Sequence, residues 1–220
     1  MENYYGDPYM MWHDGIDEKS VTYLKGEERE KAEDMLIESL AEGNYYAAMG
    51  LRELRSEKAI PALLEHLFSG SGKLTVEISV ALCMIKDTFE YVPHIIDVMK
   101  KHPFWTQRMS AAIALRRFPT EDVVEALYER VAKDPDYIVR NHASETILFL
   151  HGLEPSISMH KEIFKLMITD YDKSDGASTE NAFNNYQKCA DMLRELVDRE
   201  GRLRTGSIIE DIWTWNYADD

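Results

Sequence analysis

Ala59-Ile60-Pro61-Ala62-Leu63-Leu64 returns as Tyr91-Val92-Pro93-His94-Ile95-Ile96 and again as Val123-Val124-Glu125-Ala126-Leu127-Tyr128, each step 32 residues long. Leu67, Met99 and Val131 follow at the same offset in each copy. A second series lies between these: Ala47…Leu51…Leu54, Ile78…Leu82…Ile85, Ala111…Leu115…Phe118 and Ala143…Ile147…Leu150. Its apolar residues are spaced by four and then three, which puts them on one face of a helix. Two amphipathic helices per 32-residue unit, joined by short polar turns, predict an all-α chain. The architecture is an α-solenoid of about five antiparallel helix pairs with irregular terminal caps.

The punctuation agrees. Pro61 and Pro93 sit early in their helices, where a missing N–H costs little. Thr120 is placed to cap a helix from Glu121, and Asp136 or Asp134 one that runs through Val139. Ala47, Ala48, Ala111, Ala112, Ala114 and Ala143 are small enough for paired helices to approach closely. Outward from the repeats, Glu27–Leu40 reads as a helix that pairs with 44–55. Residues 156–169 and 179–199 read as a late, irregular fifth unit. The chain divides into an aromatic N-terminal cap segment (1–26), repeats (27–151) and an irregular C-terminal repeat with an acidic insertion and aromatic tail (152–220).

Asp134-Pro135-Asp136-Tyr137-Ile138-Val139-Arg140-Asn141-His142-Ala143 resembles the Asp…Val-Arg-x-x-Ala signature of HEAT repeats, in the short form common in bacterial proteins. Ala-Ile-Pro-x-Leu at 59–63 is similar to that family's first-helix pattern. The resemblance covers roughly residues 44–151. It implies a binding scaffold whose second helices line a concave surface, and a structural Asp–Arg ladder between repeats. Arg108 and Arg140 keep the ladder position, whereas Asn44 and Thr75 occupy it in the earlier copies, so the ladder is incomplete.

Composition narrows the function classes. The net charge is −15 and the pI is near 4.9. It is spread as −8 over residues 1–43, −1 over 44–151 and −6 over 152–220. An acidic chain is a poor match for nucleic acid, which needs clustered Lys and Arg, or for an anionic membrane. No apolar run approaches the roughly 20 residues that span a bilayer. The start of the chain has neither a basic nor an apolar leader region, and two cysteines make no disulfide framework, so a cytoplasmic location is expected.

Catalytic and metal motifs are weak. The loop Asp170-Tyr171-Asp172-Lys173-Ser174-Asp175-Gly176 approximates a calcium loop, but its glycine is one residue late and Asn181 stands where a bidentate Glu belongs. Ser69-Gly70-Ser71-Gly72-Lys73 lacks the first glycine and the closing Ser or Thr of a phosphate loop. No two histidines sit three or four apart, and Cys83 and Cys189 fall at apolar helix positions. No cofactor is expected.

The second helices carry a stripe not committed to the helix-pair core: Tyr46, Met49 and Glu53; Glu77, Val80 and Met84; Ser110, Ile113 and Arg117; His142, Glu145 and Phe149. An exposed apolar stripe is a candidate protein-binding surface. Tyr46, Met49, Glu77, Val80, Met84, Ser110, Ile113, Arg117, His142, Glu145 and Phe149 form the expected partner-binding set. The aromatic ends, Tyr4 to Trp12 and Ile208 to Tyr217, either cap the array or dock on a partner, and self-association through them is open. The resulting reading is a non-catalytic protein-binding scaffold or adaptor, in its specific form an immunity-type inhibitor of a basic toxin. The alternative is a HEAT-class enzyme or accessory, lyase helper or glycosylase-like, for which Glu77, His142 and Glu145 are the concave-face candidates.

Overall fold

The computed structural model describes residues 18–68, 72–204 and 206–213, so the aromatic run 4–12 and residues 214–217 lie outside it. Among the described residues there are α-helices and short 3-10 turns and no strand. The helices are α1 (Gly26–Ala41), α2 (Tyr45–Glu53), α3 (Ile60–His66), α4 (Lys73–Lys86), α5 (Val92–Lys101), α6 (Trp105–Ala114), α7 (Glu121–Lys133), α8 (Tyr137–Leu150), α9 (Lys161–Met167) and α10 (Gly176–Glu200). They gather into two compact units that divide between Thr88 and Phe89, inside the 27–151 run of repeats.

In the first unit α1 packs on α2, α3 on α4, and α2 against α4. Leu51 and Leu82, the central residues of the second-helix series, are fully buried, as are Leu40, Leu63 and Ile78. Each such side chain contributes about 1.5–3 kcal/mol by leaving water. Gly50 lets α1 come close: a Cβ there would stand 3.0 Å from a methyl carbon of Leu36. Asn44 caps α2 by accepting the Tyr46 N–H, and the Ser56 hydroxyl accepts that of Ala59 at the turn before α3. Pro61 falls in the first turn of α3, where its missing N–H has no helical partner to lose.

In the second unit α5 packs on α6, α7 on α8 and α9 on α10, with α6 against α8 and α7 against α10. Leu115, Leu127 and Ile147 are fully buried. Thr120 caps α7 through the Val123 N–H, and Asp136 caps α8 through the Ile138 N–H. Helix α8 ends in a Schellman arrangement: Leu153 N–H donates to Leu148 O, Gly152 N–H to Phe149 O, and Gly152 takes the left-handed conformation at φ +73° that favours glycine.

Candidate functional site

Arg108 and Arg140 both occupy ladder positions, and they use them differently. Arg108 holds Asp134 with two parallel hydrogen bonds, Nε to Oδ2 at 2.8 Å and Nη2 to Oδ1 at 2.9 Å. The same Asp134 carboxylate accepts the Asp136 N–H, which sets up the α8 cap. That hydrogen-bonded carboxylate raises the pKa of Arg108 against the opposing pull of burial. Arg140 reaches no carboxylate. It donates to the carbonyls of Met167 and Asp134 and lies 3.7 Å from the ring centre of Tyr186. Burial holds its pKa below the ordinary arginine value. In the first unit, Asn44 is a cap and Thr75 O accepts the Ser79 hydroxyl.

A second set of charged links joins successive second helices. Arg52, directly after Leu51, bonds Glu77 at 3.0 Å and Glu53 at 2.8 Å and lies 3.5 Å from Glu18. Arg116, directly after Leu115, bonds the Thr146 hydroxyl at 3.2 Å and lies 3.4 Å from Glu145. Both follow the central leucine of a second helix and both reach the next second helix. That shared position is a signal the sequence carries, and spacing of apolar residues alone misses it. Burial lowers the pKa of Arg116, and Glu145 partly restores it.

The expected partner-binding stripe divides. Tyr46 is exposed, its ring 4.1 Å from that of Tyr45, and Lys73 Nζ stands 4.2 Å from the Tyr45 ring. Met49, Ser110, Ile113, His142 and Glu145 are partly exposed. Glu77 is tied to Arg52. His142 Nδ1 comes within 3.3 Å of Glu145 but outside hydrogen-bonding geometry. Val80, Met84, Arg117 and Phe149 are buried, at 1%, 6%, 7% and 1% exposure, which corrects the expectation of an exposed apolar stripe. The reason differs by place. Helix α4 is enclosed nearly all round from Ile78 to Met84, where every residue but Ser79 is apolar and the Ser79 hydroxyl is satisfied by Thr75 O. Phe149 instead lies beneath the chain's own C-terminal segment.

That segment leaves α10 at Gly201 and runs back over α8 and the Leu115–Arg117 turn. Arg202 N–H donates to His151 O at 2.9 Å, Arg204 N–H to Leu150 O at 2.8 Å and Ile209 N–H to Arg117 O at 2.9 Å. The Arg117 guanidinium donates in return to the carbonyls of Ile209 and Glu210. Arg204 and Arg116 stand 4.6 Å and 5.9 Å from the ring centre of Phe149. Ile212 is buried and Trp213 is exposed. The described part of the C-terminal segment therefore packs back on its own unit through backbone hydrogen bonds and Ile212, not through Trp213. In the first unit the 3-10 turn Glu18–Tyr23 packs on α2, where Glu18 meets Arg52.

A family model described as HEAT repeats matches residues 69–147, and one described as a PBS lyase HEAT-like repeat matches residues 44–69. Residues 44–147, just under half of the chain, are HEAT-like repeats. No curated protein and no solved structure matches it. HEAT repeats build helical scaffolds for protein interaction.

Beyond the HEAT repeats, the acidic loop before α10 is a set of local turns. Asp172 accepts the Ser174 N–H and hydroxyl, which hold its pKa below the ordinary carboxylate value, and Asp175 caps α10. Among the described residues no three His, Cys, Asp or Glu side chains converge as a metal site. A shallow cleft of about 280 Å³ opens where Glu162 and Ile163 of α9 face Glu195 and Arg199 of α10. Cys83 and Cys189 are buried thiols, and burial pushes Cys189 up to about 12. No helix among the described residues is long and apolar enough to cross a membrane.

Proposed function

We propose that the chain is a non-catalytic HEAT scaffold for a basic protein partner, in the manner of an immunity-type inhibitor of a basic toxin. The observation that carries this is the inward turn of the arginines. Arg52, Arg108, Arg116, Arg117 and Arg140 are all buried, so none of them builds a basic surface patch. The outer helix α1 meanwhile exposes Glu27, Glu28, Glu30, Asp34 and Glu38. A net charge of −15 displayed this way steers a basic partner into encounter and repels an acidic one. Glu77 and Glu145, two of the groups an enzymatic reading would need, lie against Arg52 and Arg116 rather than in an open pocket. Two enclosed thiols fit a reducing compartment such as the cytoplasm.

Affinity capture with the full-length chain, followed by reconstitution with the purified captured protein, tests the reading. The expected partner is basic and loses its activity on addition of one equivalent of the chain. Its association rate falls several-fold as salt is raised to about 0.5 M, where charges are screened beyond a few ångströms. A captured protein that keeps its activity and associates at a salt-independent rate overturns the proposal.

A further inference from the structure

The C-terminal segment is seated as a peptide ligand would be. Its three backbone N–H groups donate to His151 O, Leu150 O and Arg117 O, and two of its carbonyls accept from the Arg117 side chain. These bonds involve main-chain groups of the segment, so they select an extended backbone rather than a particular sequence. Side-chain selection comes from Ile212, which is buried. The receiving face supplies Arg117, more than nine-tenths enclosed, which clasps the carbonyls of Ile209 and Glu210, and the Phe149 ring, on which the segment's own Arg204 lies at 4.6 Å.

The segment is also lightly embedded in its unit. It has no helix or strand structure over 201–204 and 206–213, and Arg202, Arg204, Gly206, Ser207, Glu210 and Asp211 are exposed. Gly206, at φ +109°, takes a backbone conformation that other residues rarely adopt. Irregular segments with exposed backbone and few buried side chains open at much lower free energy than core helices.

We propose that the face formed by α8 and the Leu115–Arg117 turn is a docking site for an extended segment of a partner protein that carries a β-branched residue in the place of Ile212. Residues 202–204 and 206–212 occupy it as an internal competitor. Displacement of the segment uncovers Arg117 and the Phe149 ring together, so a partner gains a charge-assisted clasp on its carbonyls and an aromatic floor in one step. This goes beyond the basic-partner reading and does not rest on it, since it concerns the local chemistry of one docked segment and not the charge of the whole partner.

The test uses the full-length chain and a fluorescent synthetic peptide of residues 202–213. Ile212→Asp weakens the seat of the internal segment without touching the receiving face. The peptide is expected to bind the Ile212→Asp chain at least about tenfold more tightly than the wild-type chain, a difference of about 1.4 kcal/mol. Combining Ile212→Asp with Arg117→Ala is expected to abolish that gain. Equal binding to wild-type and Ile212→Asp chains, or binding indifferent to Arg117→Ala, overturns the proposal. Hydrogen exchange on the wild-type chain gives an independent reading should Ile212→Asp unfold. The amides of Arg204 and Ile209 are expected to exchange about a hundredfold faster than those of Ile147 and Leu148 in α8. Equal protection makes the segment part of the fixed core and overturns the proposal as well.

Discussion

Arg108 and Asp134 lie 26 residues apart and form a two-pronged ion pair in which the carboxylate is wholly enclosed. The remaining guanidinium nitrogen of Arg108 donates to the carbonyls of His102 and Pro103, at 2.9 and 3.0 Å. One side chain thus ties the α5–α6 turn to the α7–α8 turn. The arrangement is costly to dismantle from one side, because the surviving charge stays buried. Asp134→Ala is expected to lower stability by about 3–5 kcal/mol, and the Arg108→Met, Asp134→Leu double change by markedly less. Chemical denaturation of the two variants measures the difference.

Phe149 is a core residue, and its truncation should behave as one. Phe149→Ala is expected to cost about 3–5 kcal/mol, close to the roughly 2–5 kcal/mol expected for Leu115→Ala. Tyr46→Ala, at an exposed position on the same kind of helix face, is expected to stay within about 1 kcal/mol. Urea midpoints at unchanged slope would establish the ranking, and a Phe149→Ala chain as stable as Tyr46→Ala would contradict the burial.

Acid should loosen the packing of α7 against its neighbours. The Glu125 carboxylate, clasped by Arg194, and that of Glu129, bonded by Lys100, both titrate below the ordinary glutamate value. A carboxylate with a depressed folded pKa stabilises the fold fully above its unfolded value of about 4.3. That contribution is lost as the pH falls through the lowered folded values. Melting temperature should therefore be flat from neutral pH to about 5 on account of these two groups and decline below about 4. Glu125→Gln and Glu129→Gln are expected to flatten the decline, which a melting series across pH 2.5–7 reads directly.

Both thiols should be silent in the folded chain. Cys189 is pushed up to about 12, so at pH 8 its thiolate fraction is negligible, and Cys83 is wholly buried. Ellman titration at pH 8 is expected to find no reactive thiol in the native chain and two in denaturant. A native thiol that reacts promptly would show that α4 or α10 opens.

The 32-residue period and the four-then-three spacing anticipate nearly every helix, because those regularities are what a helix pair needs in order to bury one face. Thr120, Asp136, Pro61 and Pro93 mark helix starts by chemistry that acts within four residues. Local spacing places Val80, Met84 and Phe149 on a surface stripe because it assigns faces without regard to what arrives from elsewhere in the chain. The clasp of Arg117 on Ile209 and Glu210 spans 92 and 93 residues, and no periodicity encodes it. Arg52 and Arg116 were legible in principle, since both follow a central leucine, but a charged residue at such a place reads as solvated until its partner helix is known.

Gly201 sits at the pivot where the C-terminal segment leaves α10. A Cβ at this position would stand 2.9 Å from the His151 Cβ and 3.1 Å from the Val197 carbonyl oxygen. Neither neighbour is the loose end of a side chain, so neither can swing aside. The whole return path of the C-terminal segment therefore hangs on one missing methyl group. Helix α10 ends just before Gly201, so its pairing with α7 and α9 is made without it. A single-atom doorstop at the pivot, Gly201→Ala, would hold the segment ajar while the helices beneath keep their partners.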